Sequence, residues 1–355
     1  MQFSRLVSAA AFLALSAATN ITIAQPGVPF VVNDTLPPSF AFTDGASIVD
    51  LFLNVDSSTT WNLISKTHLQ GDTGEPEGMV RVGDDRIFVS SGQYTVATEK
   101  YNRTINGTDR TAGAGYAHML VYDGQGGLIA NATLTRPGDI EYHAGGIDYD
   151  GRYIWIPLAQ YRPNSTATIV RLDPLTLEVQ RLFAVDDHNG GVVHDTIADT
   201  LVTLNWNARN ATTWSFKDYP SSFAPLPLFT PPEIDLQNPS FFVDYQDCKF
   251  IGHHVLPSQL ALARNNPYGG QLRPLMFCSG VATITSGDSS YPLGGLALVD
   301  LETATPLWEV PIGILSDLGV SIAENPVDVS VVDGKLRVYF IPDQHNSTLY
   351  VYEAN

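Results

Sequence analysis

From Gly78 to the C-terminus, apolar residues come in short alternating runs, each bounded by Gly, Asp, Asn or Pro. Such runs read as β-strands, and Asp84-Asp85, Asp123-Gly124, Asp150-Gly151 and Asp333-Gly334 between them read as hairpin turns. Helical periodicity is nearly absent. The one helix-like patch, Pro257 to Arg264, is short.

The predicted strands fall into groups. Gly78–Val82, Arg86–Ser91, His118–Tyr122 and Leu128–Leu134 make the first. Gly146–Tyr149, Tyr153–Ala159, Thr168–Leu172 and Leu177–Phe183 make the second. Gly191–Val193, Leu201–Trp206 and Thr212–Phe216 follow. A fourth group holds Gln246–Ile251, Met276–Thr283, Gly295–Val299 and Leu307–Val310. The last holds Val327–Val332, Leu336–Ile341 and Leu349–Tyr352.

Two of these groups open on nearly the same phrase. His143-Ala144-Gly145-Gly146-Ile147-Asp148-Tyr149-Asp150 returns as His188-Asn189-Gly190-Gly191-Val192-Val193-His194-Asp195, at an offset of 188 − 143 = 45 residues. A repeat of that length, with several strands per unit, is the signature of a β-propeller. The last group lacks an outer strand, and the early run Trp61–Ser65 has no group of its own. Joining the two closes the ring and removes an exposed sheet edge. The expected fold is therefore all-β: one propeller of about five four-stranded blades, six being the alternative, over residues 46–355.

The N-terminus adds a compartment. Arg5 precedes the apolar run Leu6–Ala18, and Ser16-Ala17-Ala18 fits a cleavage site, with Thr22-Ile23-Ala24 as a later option. Residues 1–18 read as a signal peptide and 19–45 as an extended arm. Glycosylation motifs at Asn20, Asn33, Asn102, Asn106, Asn131, Asn164, Asn210 and Asn346 agree with a secreted, extracellular glycoprotein. In an oxidising compartment the 2 cysteines, Cys248 and Cys278, are expected to pair. The formal charge of −18 makes nucleic acid and anionic membrane poor partners. A soluble monomer acting on a small-molecule or carbohydrate ligand is the reading that remains.

Common catalytic signatures are missing: there is no Gly-x-Ser-x-Gly, His-Glu-x-x-His, P-loop or Cys-x-x-Cys. The candidate chemistry is a ring of polar residues starting the innermost strands. Aligning the turns sets Glu77 against His143 and His188, with Asp244 and Asp247 in the fourth group and Asp328 in the fifth. Imidazoles and carboxylates converging there suit a divalent cation, Ca²⁺ or Zn²⁺, or acid–base work by His143 and His188. Gly145, Gly146, Gly190 and Gly191 would let backbones crowd the axis. Tyr161 and Arg162 are candidate substrate contacts from a loop on the same face. His194 reads as a packing histidine.

Several phrases resemble a known family: Glu77-Gly78-Met79-Val80-Arg81-Val82-Gly83-Asp84, the stretch Gly145 to Trp155, Tyr161-Arg162-Pro163-Asn164-Ser165 and Tyr245-Gln246-Asp247-Cys248. They are similar to an uncharacterised secreted family, a domain of unknown function found in bacteria and fungi. That resemblance implies a propeller and supplies no activity. More distantly, the architecture is similar to gluconolactonase- and paraoxonase-like propellers, which hold axial calcium through Glu, Asn and Asp and open lactones. Histidines stand here where those use Asn or Asp. The expected function is a lactone- or ester-type hydrolase. The alternatives are a non-enzymatic binding protein, a glycoside-active propeller using Glu77, Asp244 or Asp247 and Asp328, and an isomerase or cyclase acting on a fungal small molecule.

Overall fold

The computed structural model describes residues 20–208, 210–216, 234–237, 243–257, 270–287 and 289–355. The proposed signal peptide, and all of the helix-like patch beyond Pro257, lie outside the described residues. Five antiparallel sheets of the ring surround one axis. Their innermost strands are Glu75–Arg81, the broken pair His143–Ala144 and Asp148–Tyr149, Asn189–Asp195, Asp244–Val255 and Val327–Val332. These strands touch one another across the centre. Blade count and closure are as expected from sequence: Trp61–His68 pairs with Thr348–Ala354 as the outer strand of the fifth blade.

Alternation along each strand does the packing. Successive residues point to opposite faces, and in a propeller both faces are covered. Val192 enters the cluster between the second and third blades, and Val193 the cluster between the third and fourth. Met276 and Phe277 divide in the same way between the two sides of the fourth blade. Each of the five buried clusters fills one gap between neighbouring blades. A fully buried Leu, Val or Phe contributes roughly 1.5–3 kcal/mol, so the ring is held by its interfaces more than by any single sheet.

Some elements were not read from sequence. Asn20–Ile23 adds a fifth strand to the first blade, against Leu128–Thr133. Ile234–Gln237 supplies the outer strand of the third blade. A helix, Gly45–Phe52, buries Ile48, Val49 and Phe52 under the fourth and fifth blades. The stretch left between the predicted strands Met276–Thr283 and Gly295–Val299 continues a long hairpin in which Leu272–Ser286 pairs with Ser289–Asp300. Lys100–Ile105 and Thr108–Arg110 form a small hairpin inside the expected loop of the first blade.

Cys248 and Cys278 are disulfide-bonded. They face each other on the two inner strands of the fourth blade, buried in the cluster shared with the third. The bond closes a separation of 30 residues, worth roughly 3–4 kcal/mol by loop entropy. Among the described residues no helix is long and apolar enough to cross a membrane.

His194 pins the second blade to the third. Its Nδ1 lies 3.0 Å from the Asp150 carboxylate and its ring stacks on Trp155 at 4.4 Å. Burial works against the charged form, but Asp150 and Asp199 outweigh it and raise His194 to about 9. A raised histidine contributes its stability fully below about 6.5, the unfolded value, and loses it as pH rises through about 9. The expected result is a melting temperature that falls between pH 6.5 and 9.5, by roughly 2–3 kcal/mol of stability. His194→Gln should flatten that slope. A wild-type curve already flat over this range would refute the assignment.

Candidate functional site

Three innermost strands carry a β-bulge at the same level. Pairing skips from Pro76 to Gly78, from Asn189 to Gly191 and from Tyr245 to Asp247. The extra residues are Glu77, Gly190 and Gln246, and all three line one cavity at the top of the axis. A bulge frees a residue from the ladder and re-aims it. The bulges also fix the register. Glu77 matches Gly145 and Gly190, while Glu75 matches His143 and His188. The sequence alignment of Glu77 with His143 is therefore two residues out, which is why Glu75 escaped it.

The cavity encloses ≈ 250 Å³. Glu75, Glu77, Glu324, His143 and His188 supply its ionisable groups, together with Tyr161 and Tyr245; Trp206 and several amides complete the wall. No Lys or Arg is among these lining residues. His143 Nδ1 lies 3.9 Å from Glu77 Oε1. The His143 ring is 5.1 Å from Tyr161 and 5.5 Å from His188. Glu77, His143 and His188 are 5 %, 6 % and 4 % exposed, so water screens them little.

Burial sets the protonation states. It pushes Glu77 well above the ordinary carboxylate range, with Glu75, Glu324 and Asp247 adding repulsion. Burial and then Glu75 also raise Glu324. His143 is driven down to about 3 by burial and then by His188. His188 falls to about 4, chiefly by burial. Both imidazoles are neutral at any ordinary pH. His188 Nδ1 contacts the Gln160 carbonyl at 2.6 Å. A carbonyl only accepts, so Nδ1 carries the proton and Nε2 is left as the acceptor.

The other sequence candidates lie elsewhere. Asp247 sits below the cavity on the axis, accepting from Met79 N, Ile147 N, Val327 N and Lys249 Nζ. Its place is open because Gly78, Gly146 and Gly191 stand at the matching level. Asp328 accepts from Arg81 N and lines a separate cavity of ≈ 230 Å³ at the bottom, beside Asp148 and Lys249. Asp244 matches His143 in register but is not among the cavity residues. The structure thus sets these three apart from Glu77, His143 and His188, and the carboxylates of Asp247 and Asp328 accept from backbone N–H groups. Arg162 is also absent from the lining; its Nε donates to Gln160 Oε1 at 2.8 Å. It thus braces the residue that orients His188. Tyr161 does line the cavity.

The small hairpin overhangs this mouth. The Arg110 guanidinium lies 5.3 Å from the Tyr161 ring and 4.9 Å from that of Trp206, its charge matched by Asp109 at 2.8 Å. Sequence reasoning missed Glu75, Glu324, Trp206 and Tyr245. Counting back three residues from the shared glycine would have found Glu75, since 78 − 75, 146 − 143 and 191 − 188 are all 3.

Among solved structures the chain is similar to the WD40 domain of Toxoplasma gondii coronin, with 9% identity, TM-score 0.36, and 84% of this chain and 87% of that chain covered. It is also similar to YCF48 bound to a D1 peptide, with 9% identity, TM-score 0.33, and coverage of 90% and 98%. No curated protein matches the sequence. The sequence profile of DUF6454, a family of unknown function, matches residues 38–355, and the chain belongs to that family.

Proposed function

We propose that this protein is a secreted glycoprotein that hydrolyses small neutral lactones or esters in the cavity at the top of the axis. The observation that carries the reading is His188. It is a neutral imidazole, its Nδ1–H held by Gln160, its Nε2 beside Gly190 at the cavity wall. The unprotonated Nε2 is the acceptor a general base needs, and burial, which lowers His188 to about 4, makes it a weak one. Nε2 takes a proton from water as the oxygen bonds to the substrate carbonyl carbon. The tetrahedral adduct then breaks its C–O bond, and the proton returns to the leaving alkoxide. The products are an acid and an alcohol, joined in one molecule when the substrate is a lactone.

The wall supports the substrate class. Tyr161, Trp206 and Tyr245 offer apolar faces, and Glu75, Glu77 and Glu324 repel carboxylates and phosphates. The volume lies below the usual range for drug-sized ligands, roughly 300–1,000 Å³. The glycoside-type alternative draws on Glu77, Asp244 or Asp247, and Asp328; of these, Asp247 and Asp328 have oxygens occupied by N–H donors. For glycosylation, Asn33, Asn102, Asn106, Asn164 and Asn346 are exposed, as is Asn20, while Asn131 and Asn210 are half-buried in strands.

The test is a panel of aryl esters and γ- and δ-lactones, with wild type and His188→Gln. Turnover by wild type and a loss of about 10²–10⁴-fold in kcat/KM on substitution are expected. No turnover of any member, with the panel binding unchanged, would leave a non-enzymatic binding protein.

A further inference from the structure

We propose that Glu75, Glu77 and His143 form a binding site for one divalent cation of the Zn²⁺ or Mn²⁺ type, and that Ca²⁺ is not its ligand. This deepens the hydrolase reading, since it assigns the group that would polarise the substrate carbonyl.

Three observations point the same way. The first is proximity: one ligand atom from each residue lies within 4.8 Å of the others, and His143 Nδ1 is 3.9 Å from Glu77 Oε1. Ligands on a tetrahedral Zn²⁺ lie about 3.3–3.5 Å apart, given bonds of about 2.0–2.2 Å. Small side-chain rotations close the difference.

The second is independent of the acidic cluster. His143 Nδ1 is buried and has no hydrogen-bond partner. Buried nitrogens without a partner are rare and demand a reason. This one faces a carboxylate that sits in a cavity lined by no Lys or Arg. A cation between them would satisfy the nitrogen and relieve the repulsion between Glu75 and Glu77.

The third is the support behind the ligands. Glu75 accepts from Gln344 Nε2 at 3.0 Å and from the Tyr94 hydroxyl. The His143 ring is held between Tyr161 and His188. Outer contacts of this kind fix ligand orientation at metal centres. Because Glu75 and Glu77 both line the cavity, a coordination position remains open toward it, as catalytic sites require.

The donor set chooses the metal. One imidazole nitrogen and two carboxylates suit Zn²⁺ or Mn²⁺, whereas Ca²⁺ takes six to eight oxygens. His188 is not in the ligand group. It stays available as the base.

The experiment uses the full-length secreted chain, stripped with chelator and titrated with Zn²⁺, Mn²⁺ and Ca²⁺ by calorimetry. Melting curves are recorded with each metal. One equivalent of Zn²⁺ or Mn²⁺ should bind and raise the melting temperature, with Ca²⁺ weaker by at least tenfold. His143→Ala and Glu77→Gln should each lower affinity at least tenfold, and His188→Gln should keep full stoichiometry. Glu75→Gln, at a half-buried position, serves if a buried variant fails to fold. Co²⁺ absorption bands that disappear in Glu75→Gln give a second readout.

Absence of stoichiometric binding, preference for Ca²⁺, or variants that bind like wild type would overturn the site. The two readings separate cleanly. Hydrolysis that depends on His188, in a protein that takes up no stoichiometric Zn²⁺ or Mn²⁺, sinks the metal site alone. Stoichiometric metal without turnover of any ester or lactone sinks the hydrolase alone.

Discussion

Asp247→Ala should leave no cooperative unfolding transition at all. The side chain is fully buried and accepts from backbone N–H groups of three other strands, Met79 at 3.1 Å, Ile147 at 3.0 Å and Val327 at 3.0 Å. Those strands belong to the first, second and fifth blades, and Asp247 belongs to the fourth. One carboxylate thus ties four of the five innermost strands together. It also holds Lys249 Nζ at 2.6 Å, in a pair with almost no exposure. Burial raises Asp247 to about 6 despite Lys249 and the N–H donors. The pair is therefore costly to keep and worse to break. Removing one partner of a buried ion pair costs about 3–5 kcal/mol, and the abandoned N–H groups add roughly 1–3 kcal/mol each. The sum approaches or exceeds the whole stability of a typical domain, about 5–15 kcal/mol. Asp247→Leu combined with Lys249→Met should recover part of the loss, because no buried charge then remains. Calorimetry on the single and double variants checks both statements. A single variant melting within a few degrees of wild type would mean that the axis is held by packing alone.

Alternation between covered faces made the blades readable, and the repeat at His143 and His188 made the ring readable. Both depend on residues near one another in sequence. What stayed hidden depends on distant partners. Asn20–Ile23 is a strand only because the edge of Leu128–Thr133 lies open to it. The Gly45–Phe52 helix spans barely two turns, too short for its periodicity to stand out, and it is fixed by burial of Phe52 against Phe277. At the site, Glu77, His143, His188 and Tyr161 were legible as strand-start or loop residues. Glu75 was not, because the turn between Arg81 and Ile87 is longer than those between Tyr149 and Ile154 and between Asp195 and Thr200, so an alignment on turns slides the first strand out of register. Asp247 was legible as axial but not as structural: nothing in Tyr245-Gln246-Asp247-Cys248 indicates that three foreign N–H groups await its oxygens.

The shared glycines separate by the same reasoning, and their substitutions should differ widely. Gly145→Ala places a Cβ against the Gly190 carbonyl and backbone, and Gly146→Ala places one against the Gln246 carbonyl and Asp247. Neither neighbour is a flexible tip: Gly190 is tied to the second blade by the bridge between Gly146 and Gly191 and by the Gly146 N–H bond to Gly190 O at 2.8 Å, and Asp247 is tied to it by the Ile147 N–H bond to Oδ1 at 3.0 Å. Relief requires the second blade to move away from the third for Gly145→Ala and from the fourth for Gly146→Ala, so each variant should lose more than about 4 kcal/mol, the range reserved for severe core damage. Gly191 is the partner in that bridge, yet its added Cβ would meet Leu204 Cβ at an ordinary 3.6 Å. Gly191→Ala should therefore stay within about 1 kcal/mol of wild type, the cost or gain of a glycine substitution without strain. Gly190→Ala falls between them. Its Cβ meets His188 Nε2 at 2.8 Å and no backbone that closely, so the ring can shift while the sheet stays. That variant should melt near wild type and lose whatever His188 does in the cavity. Denaturant unfolding of the four variants, read beside activity or metal titration, orders them. A Gly145→Ala protein as stable as Gly191→Ala would show that the blades tolerate separation at the axis.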